Sequence, residues 1–325
     1  MSALRTKKAR GRLLGRVRRQ RVKTITILPS LVTILNGVCG FTAIVFASKG
    51  GRAGIEQGPS FAGTELSYFA LASYMILLAM IADMLDGRLA RMSQSTSSFG
   101  GQLDSLCDTI SFGVAPALLM LKLLEYRLGG FAELNPGLGR YLARFIWLAG
   151  AAYISCAAIR LARFNVENAE DESAHMSFTG LPTPAAAGVV VGLVIFHQQT
   201  LPEILTPGSR AYQVCGNAIL YALPFLTLGT AILMVSRIRY PHVLNQYLKG
   251  RKPFAHLMWA LFLVALIIWT RLAALALIFG GFAAGSFVRW VYHRVTRKRG
   301  HVGLREAETL TSATEQPALT RPDDA

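Results

Sequence analysis

Four aspartates lie close together where one long apolar segment ends and the next begins. The stretch from 83 to 108 reads D-x2-D-G-x2-A-R-x8-G-x3-D-x3-D, and its aspartates are Asp83, Asp86, Asp104 and Asp108. On helices that advance about 100° per residue, the first two share one face, and the last two follow Gly100 along a single stripe that continues to Ser111. The polar turn Ser93–Ser98 would join the two helices and bring the carboxylates together. Acidic side chains at membrane depth are costly, which indicates a functional site.

Crowded carboxylates repel one another unless positive charge compensates them. Aspartate oxygens suit Mg²⁺ or Mn²⁺, which are readily shared with substrate phosphates, so we expect two divalent cations of this kind. Gly87 and Gly100 leave room for a phosphate or nucleotide beside a helix backbone, and Arg91 can hold a phosphate through its planar fork of donors. The alternative is a set of helix-end charges paired at the membrane interface, which explains a single aspartate better than the whole spacing.

This motif resembles the signature of the CDP-alcohol phosphotransferases at every fixed position. These are integral-membrane enzymes that transfer a phosphoryl-linked lipid or alcohol from a CDP-activated donor and release CMP. The resemblance implies that all four aspartates hold the metals and that Asp108 also accepts the proton of the acceptor hydroxyl. It further implies that Gly87, Arg91 and Ser97 contact the CDP-linked donor.

A second resemblance lies in the first apolar segment, which begins LPSLVTILNG at Leu28. In the family, a Pro-Asp/Asn-x-x-Thr element at this place contacts the donor, which implies contacts from Ser30 and Thr33. This chain has Ser30 where the family usually has an acid or amide. Alternatively, Thr33 and Asn36 are polar residues that form hydrogen bonds between helices.

Several further blocks resemble the serine-using members of the family, the bacterial phosphatidylserine synthases. They are Leu35–Ala43, Asp104–Pro116, Arg160–Asn165, Phe178–Gly188 and Ser236–His242. The resemblance implies transfer of the phosphatidyl group from CDP-diacylglycerol to L-serine. Arg160 and Arg163 are then expected to meet the serine carboxylate, because guanidinium groups bind carboxylates through two hydrogen bonds. Two alternatives stay open: arginines that reach lipid headgroups instead, and an acceptor such as glycerol phosphate, inositol phosphate or choline.

The composition, 52% hydrophobic over 325 residues, predicts an all-α polytopic membrane protein. We expect about eight transmembrane helices, a six-helix family core and two C-terminal additions. The predicted spans are roughly 26–48, 66–90, 101–124, 142–163, 183–199, 217–236, 256–270 and 272–290. Arg271 alone separates the last two, so a re-entrant hairpin is an alternative there. Pro116 should kink the third helix and free a backbone carbonyl near the site.

The net charge of +16 is unevenly distributed along the chain. If the N-terminus is cytoplasmic, 26 of the 34 lysines and arginines fall inside, as the positive-inside rule requires. This predicts a protein of the cell (inner) membrane with both termini and the active site in the cytoplasm. No soluble basic face is available for nucleic acid. A cation-coupled transporter would distribute its acids through several spans near the midplane, whereas here they lie in one motif.

The predicted organisation has four parts. Residues 1–24 hold ten Lys or Arg and no acid, which is typical of a basic segment on anionic headgroups or of a disordered topology signal. Residues 25–242 form the membrane domain, 243–295 the additional transmembrane helices, and 296–325 a disordered tail. The expected partners are CDP-diacylglycerol, L-serine, membrane lipids and, as the family implies, a second copy of the chain.

Overall fold

The computed structural model of this protein is built almost entirely from helices. It describes residues 30–50, 57–61, 64–93, 98–134, 136–170, 180–236, 238, 275–285 and 288. Within these residues, six helical segments are long and apolar enough to cross a membrane. They are Ser30–Gly50, Tyr68–Leu89, Phe99–Gly129, Gly137–Val166, Thr183–Ile204 and Arg210–Val235. The predicted all-α multi-pass architecture is therefore confirmed.

The described residues form nine α-helices, two π-helical segments and two short strands. They are α1 (Ser30–Gly50), β1 (Gln57–Phe61), β2 (Thr64–Ser67), α2 (Tyr68–Ser93), α3 (Ser98–Asp108), π1 (Thr109–Val114), α4 (Ala115–Leu134), α5 (Pro136–Glu170), α6 (Thr183–Ile195), π2 (Phe196–Thr200), α7 (Leu201–Ile204), α8 (Arg210–Val235) and α9 (Leu275–Gly285). Helix α3, π1 and α4 follow one another without a break and make up the third span.

The two additional C-terminal spans are not confirmed. The predicted span 256–270 lies outside the described residues. In the predicted span 272–290, the structure describes α9, whose eleven described residues are fewer than a transmembrane helix needs. Helix α9 packs on α6, because a side chain added at Gly192 would come within 2.8 Å of the Ala276 backbone.

An antiparallel hairpin of β1 and β2 connects α1 to α2, and the sequence analysis did not predict it. Its register pairs Gln57 with Ser67 and Phe61 with Thr64. Because the chain crosses the bundle once in α1 before reaching the hairpin, the hairpin lies at the end opposite to the start of α1. This end of the bundle carries no part of the aspartate motif.

Alternate crossings bring six helix ends to one end of the bundle, which we call the aspartate end. It contains the starts of α1, α3 and α6 and the ends of α2, α5 and α8. Helix α6 runs through the centre, where eleven of its thirteen residues are buried. A helix that is apolar on all sides is expected in such a position. Helix α2, which carries Asp83 and Asp86, and π1, which directly follows Asp108, both pack on α6.

A π-helical segment, π1, lies just before Pro116, where the sequence predicted a kink. Proline has no N–H to donate to the carbonyl four residues earlier, which belongs to Phe112. The hydroxyl of Tyr153, a fully buried residue of α5, donates to this Phe112 oxygen over 3.1 Å. The freed carbonyl is thus satisfied by a neighbouring helix, as a membrane interior demands. The same bond joins α5 to the span that carries Asp104 and Asp108.

Helix α1 approaches α3 and π1 very closely because glycines face the contact. A β-carbon added at Gly37 would lie 2.9 Å from the Cys107 sulfur, and one added at Gly40 would lie 2.7 Å from the Ser111 Cα atom. Small residues permit this kind of backbone approach between membrane helices. The Ser111 hydroxyl donates to the Asn36 carbonyl over 2.9 Å and fixes the register of the two helices.

We expect Gly40→Ala to destabilise the protein by about 1–3 kcal/mol, because the clash is with backbone that cannot rotate away. The melting temperature of the detergent-purified protein measures this effect. Gly229→Ala in α8 is the matched control, since a β-carbon there meets no atom within 4 Å. Equal melting temperatures for the two variants would contradict the close contact between α1 and π1.

Candidate active site

Helix α1 supplies hydrogen-bond donors to two of the four aspartates. The Thr33 hydroxyl donates to Asp86 on α2, and the Asn36 amide nitrogen donates to Asp108 on α3 over 2.8 Å. Thr33 and Asn36 are both buried, and each carboxylate is 7% exposed. Because Thr33 and Asn36 lie three residues apart on α1, a single helix face reaches both α2 and α3.

Three aspartates converge at the junction of α2 and α3. One carboxylate oxygen from each of Asp83, Asp104 and Asp108 lies within 4.8 Å of the other two. Asp86 is not part of this closest group, but it is near enough to interact electrostatically with Asp83 and Asp104. The predicted gathering of the four carboxylates therefore consists of a tight group of three and a fourth beside it, held by Thr33.

The described neighbours do not neutralise this cluster, since Arg160 attracts Asp108 electrostatically but forms no ion pair with it. Within the described part of the chain, no lysine or arginine forms an ion pair with Asp83, Asp104 or Asp108. Partly buried anions so close together require compensation. An all-oxygen donor set of this kind fits Mg²⁺ or Mn²⁺ and does not suit a thiolate-seeking metal. The residues present are therefore compatible with divalent cations.

Two of the residues expected to contact the donor, Gly87 and Ser30, are described by the structure and lie at the aspartate end of the bundle. Gly87 is exposed on α2, and a β-carbon added there would meet no atom within 4 Å, so a ligand has room beside the backbone. Ser30 begins α1 and is half-buried. Arg91 lies on α2, but its side chain falls outside the described residues, as does the whole of Ser97. Their roles stay predictions.

The two arginines of α5 differ in their surroundings. Arg160 donates to the Thr183 hydroxyl over 3.2 Å, and it is close enough to Asp108 for electrostatic attraction. Its Nε atom is buried and finds no hydrogen-bond acceptor in the part of the chain that the structure describes. Arg163, one turn farther, is half-buried and forms no hydrogen bond or ion pair with the described residues. The interior position expected of the pair is therefore seen at Arg160.

The ends of α5 and α6 are tied to the aspartate helices and to α8. The Ser105 hydroxyl of α3 donates to Asn165 of α5 over 3.1 Å. Before α6, Gly180 has φ +90°, and a β-carbon there would overlap the Met234 carbonyl of α8. The Gly180 and Leu181 amides donate to Ile238 and Leu233. This backbone anchor places Thr183 opposite Arg160.

Two contacts of the site were missed by the sequence analysis. Asn36 was considered as a polar residue between helices, but its bond to Asp108 was not predicted, and Thr183 was not connected with Arg160. The available signal was a polar residue inside an apolar segment, which must find a partner when buried. The identity of that partner depends on helix contacts separated by 72 residues for Asn36 and 23 for Thr183.

Comparison with known proteins places this geometry in a family. A CDP-alcohol phosphatidyltransferase profile matches residues 26–238. A CDP-diacylglycerol–serine O-phosphatidyltransferase of Helicobacter pylori (strain ATCC 700392 / 26695) is 29% identical over 272 residues, which cover 83% of this chain and 94% of that protein. A protein of the same name from Mycobacterium tuberculosis (strain ATCC 25618 / H37Rv) is 31% identical over 70% of this chain and 65% of its own length.

A third relative with this name comes from Saccharomyces cerevisiae (strain ATCC 204508 / S288c) and is 35% identical over 50% of this chain and 51% of its own length. The matched region begins just before α1 and ends just after α8, so it contains all six spans and every described residue of the aspartate cluster. The chain therefore belongs to the CDP-alcohol phosphatidyltransferase family.

Proposed function

We propose that this protein is a CDP-diacylglycerol–serine O-phosphatidyltransferase, which forms phosphatidylserine and CMP. The observation that carries this proposal is the convergence of Asp83, Asp104 and Asp108 beside the inward-facing Arg160. The cluster suits a pyrophosphate donor, and the guanidinium suits an acceptor that carries a carboxylate. The names of the relatives from three organisms point to the same reaction.

The aspartate cluster would hold two divalent cations, Mg²⁺ or Mn²⁺, on Asp83, Asp86, Asp104 and Asp108. When bound, such cations neutralise the pyrophosphate and stabilise the charge that develops on the departing CMP. Thr33 fixes the orientation of Asp86 by donating to one of its oxygens. Asn36 does the same for Asp108. Helix α1 therefore orients two of the expected ligands before any substrate binds.

In the proposed reaction, Asp108 receives the proton of the serine hydroxyl. The serine oxygen forms a bond to the β-phosphorus of CDP-diacylglycerol, the bond from that phosphorus to the CMP phosphate breaks, and CMP leaves with its electron pair. A carboxylate is a weak base for an alcohol, so it must hold the hydroxyl within hydrogen-bond reach. Because Asn36 engages one oxygen of Asp108, the other oxygen can accept the proton.

The donor is assigned to the residues around the junction of α2 and α3. Gly87 lets the nucleotide approach the α2 backbone, where its missing side chain leaves open space. Arg91 and Ser97 are proposed phosphate or nucleotide contacts, and Ser30 and Thr33 are proposed contacts from the start of α1. The diacylglycerol chains would remain in the bilayer, since the enzyme spans it.

We further propose that the aspartate end faces the cytoplasm in the cell (inner) membrane, because the positive-inside rule favours that orientation. The proposed organisation is a basic segment over 1–24, a membrane domain over 25–242, additional helices over 243–295 and a tail over 296–325. A homodimer is proposed as well. The family match over residues 26–238 supports the extent of the membrane domain.

Arg160→Ala should raise the apparent KM for serine about tenfold to hundredfold, since a charge-assisted hydrogen bond contributes roughly 1.5–3 kcal/mol. The KM for CDP-diacylglycerol should change far less. Lysine should restore serine binding in part, because it keeps the charge but loses the planar fork. The measurement is initial-rate kinetics with each substrate varied in turn.

Arg163→Ala is the matched comparison, from the same helix and one turn away. We expect a smaller effect there, because Arg163 forms no hydrogen bond or ion pair with the described residues, whereas Arg160 donates to Thr183 and attracts Asp108. A wild-type serine KM in both variants would remove the carboxylate assignment. A selective loss of donor affinity would instead identify these arginines as phosphate contacts.

The proposed reaction is tested by incubating membranes that contain the protein with CDP-diacylglycerol and one labelled acceptor at a time. The acceptors are L-serine, glycerol phosphate, inositol phosphate and choline. We expect labelled lipid and stoichiometric CMP from serine alone. Product from another acceptor with none from serine would keep the family chemistry and overturn the acceptor.

A further inference from the structure

Two buried polar atoms find no hydrogen-bond partner among the described residues, one on Asn36, which is bonded to Asp108, and one on Arg160, which attracts Asp108. One is the Asn36 Oδ1 atom, which can only accept a hydrogen bond. The other is the Arg160 Nε atom, which can only donate one. Buried groups of this kind are normally satisfied, and leaving one without a partner is costly. A pair of orphaned groups in one site therefore indicates a ligand that supplies both a donor and an acceptor.

The orientation of the Asn36 amide follows from its neighbour. An ionised Asp108 can only accept hydrogen bonds, so the amide nitrogen must face it, as the 2.8 Å contact shows. The amide oxygen is then the polar atom of this side chain that Asp108 does not engage. Asn36 is fully buried, which leaves its side chain little room to rotate.

Arg160 flanks Asp108 from α5. Its terminal nitrogen is engaged by Thr183, which is 1% exposed, and this bond fixes the plane of the guanidinium. The Nε–H lies in that same plane and has no acceptor of its own. An arginine held in this way presents a preformed donor to an anionic group near Asp108.

We infer that Asn36 binds the ammonium group of the acceptor amino acid through its Oδ1 atom, while Arg160 Nε binds the carboxylate. This inference rests on the proposed serine transfer and names the residue that distinguishes an amino acid from a simple alcohol. In serine, the hydroxyl, ammonium and carboxylate groups all branch from the Cβ–Cα unit. When the serine hydroxyl lies at Asp108, its ammonium group can reach Asn36, which is hydrogen-bonded to Asp108. The serine carboxylate can then reach Arg160, which attracts Asp108 from α5.

The ligand chemistry is specific. An ammonium group donates hydrogen bonds and needs an acceptor, which a buried amide oxygen provides at no cost in further desolvation. Glycerol phosphate and inositol phosphate carry no ammonium group and would leave Asn36 Oδ1 without a partner. Choline carries a quaternary nitrogen, which has no N–H to donate. The site therefore rejects these acceptors by leaving a buried polar group unpaired.

The test uses binding to the full-length, detergent-purified protein with MnCl₂ and CMP present, so that no transfer takes place. Dissociation constants are measured by thermal stabilisation for L-serine, for 3-hydroxypropanoate, which lacks the ammonium group, and for ethanolamine, which lacks the carboxylate. For Asn36→Leu we expect serine affinity to fall about tenfold to hundredfold, with 3-hydroxypropanoate affinity nearly unchanged. For Arg160→Gln we expect serine affinity to fall similarly, with ethanolamine affinity nearly unchanged.

Asn36→Asp separates recognition from positioning, because it keeps an acceptor oxygen but loses the donor to Asp108. This variant should retain the wild-type preference for serine over 3-hydroxypropanoate while its transfer rate falls. If Asn36→Leu shows no melting transition, Asn36→Ala removes the same atom with less strain. If neither variant folds, the test is the preference of Asn36→Asp for serine over 3-hydroxypropanoate. Loss of that preference overturns the inference.

A second result would also overturn the inference. Equal weakening of serine and 3-hydroxypropanoate in Asn36→Leu would mean that Asn36 only positions Asp108. Failure of the proposed function gives a different result, in which wild-type protein neither binds serine nor converts it to phosphatidylserine. The two failures are therefore distinguishable in the same preparations.

Discussion

Asp83→Asn and Asp104→Asn are each expected to lower transfer by at least about 10²–10³-fold, the range seen when one group that stabilises developing charge is removed. Both carboxylates belong to the group whose oxygens lie within 4.8 Å, and neither accepts a hydrogen bond from a described residue. The amide has the same shape but lacks the charge that attracts a divalent cation. The measurement is CMP release at saturating Mg²⁺ or Mn²⁺, together with the Mn²⁺ bound by the purified protein.

Glu125→Gln is the matched control for both variants. It removes the same charge at the opposite end of the bundle, where Glu125 pairs with Lys122 over 2.8 Å on an exposed surface. We expect near wild-type activity and cation binding from this control. Substantial turnover by Asp83→Asn or Asp104→Asn at saturating metal would contradict the proposal that these residues hold the cations.

Asp108→Asn should stop transfer to serine while CDP-diacylglycerol still binds. A general base contributes about 10²–10⁴-fold to a rate, and an amide cannot accept the proton. The variant should fold, because the new side chain retains an oxygen that can accept the hydrogen bond from Asn36. Transfer is followed with labelled serine, and donor binding is measured separately by equilibrium binding of labelled CDP-diacylglycerol.

Comparison with Asp104→Asn separates the two roles of Asp108. A residue that only holds metal should lose donor affinity and transfer together. A base should lose transfer by a much larger factor than donor affinity, although some weakening is expected if Asp108 also contacts a cation. An unchanged transfer rate in Asp108→Asn would remove the assignment of this residue as the base.

The six spans could be predicted because a bilayer imposes a simple requirement on length and apolarity. The predicted junction between 93 and 98 agrees with α2 ending at Ser93 and α3 beginning at Ser98. The hairpin of β1 and β2 could not be predicted, because its short strands carry no strong alternation of apolar residues. The sequence also predicted an irregular helix at Pro116. It did not indicate a π-helical segment, which precedes this proline in the structure.

The aspartate cluster could be predicted because its members lie within 26 residues of sequence and helix periodicity relates them. The partners of those aspartates could not. Thr33 and Asp86 are 53 residues apart, and Asn36 and Asp108 are 72 residues apart. Which polar residue meets which carboxylate depends on how closely α1 approaches, and that distance is set by Gly37 and Gly40 against Cys107 and Ser111.

The π-helical segment between Asp108 and Ala115 has a rotational consequence. One π turn holds about one residue more than an α turn, so the helix before it is rotated by about 100° relative to an uninterrupted α-helix. The face of α4 that packs in the core, with Leu119 and Leu123, and the face of α3 that carries Asp104 and Asp108 are therefore set at independent angles. Substitutions that alter the packing of α4 therefore need not turn Asp104 and Asp108 away from their partners.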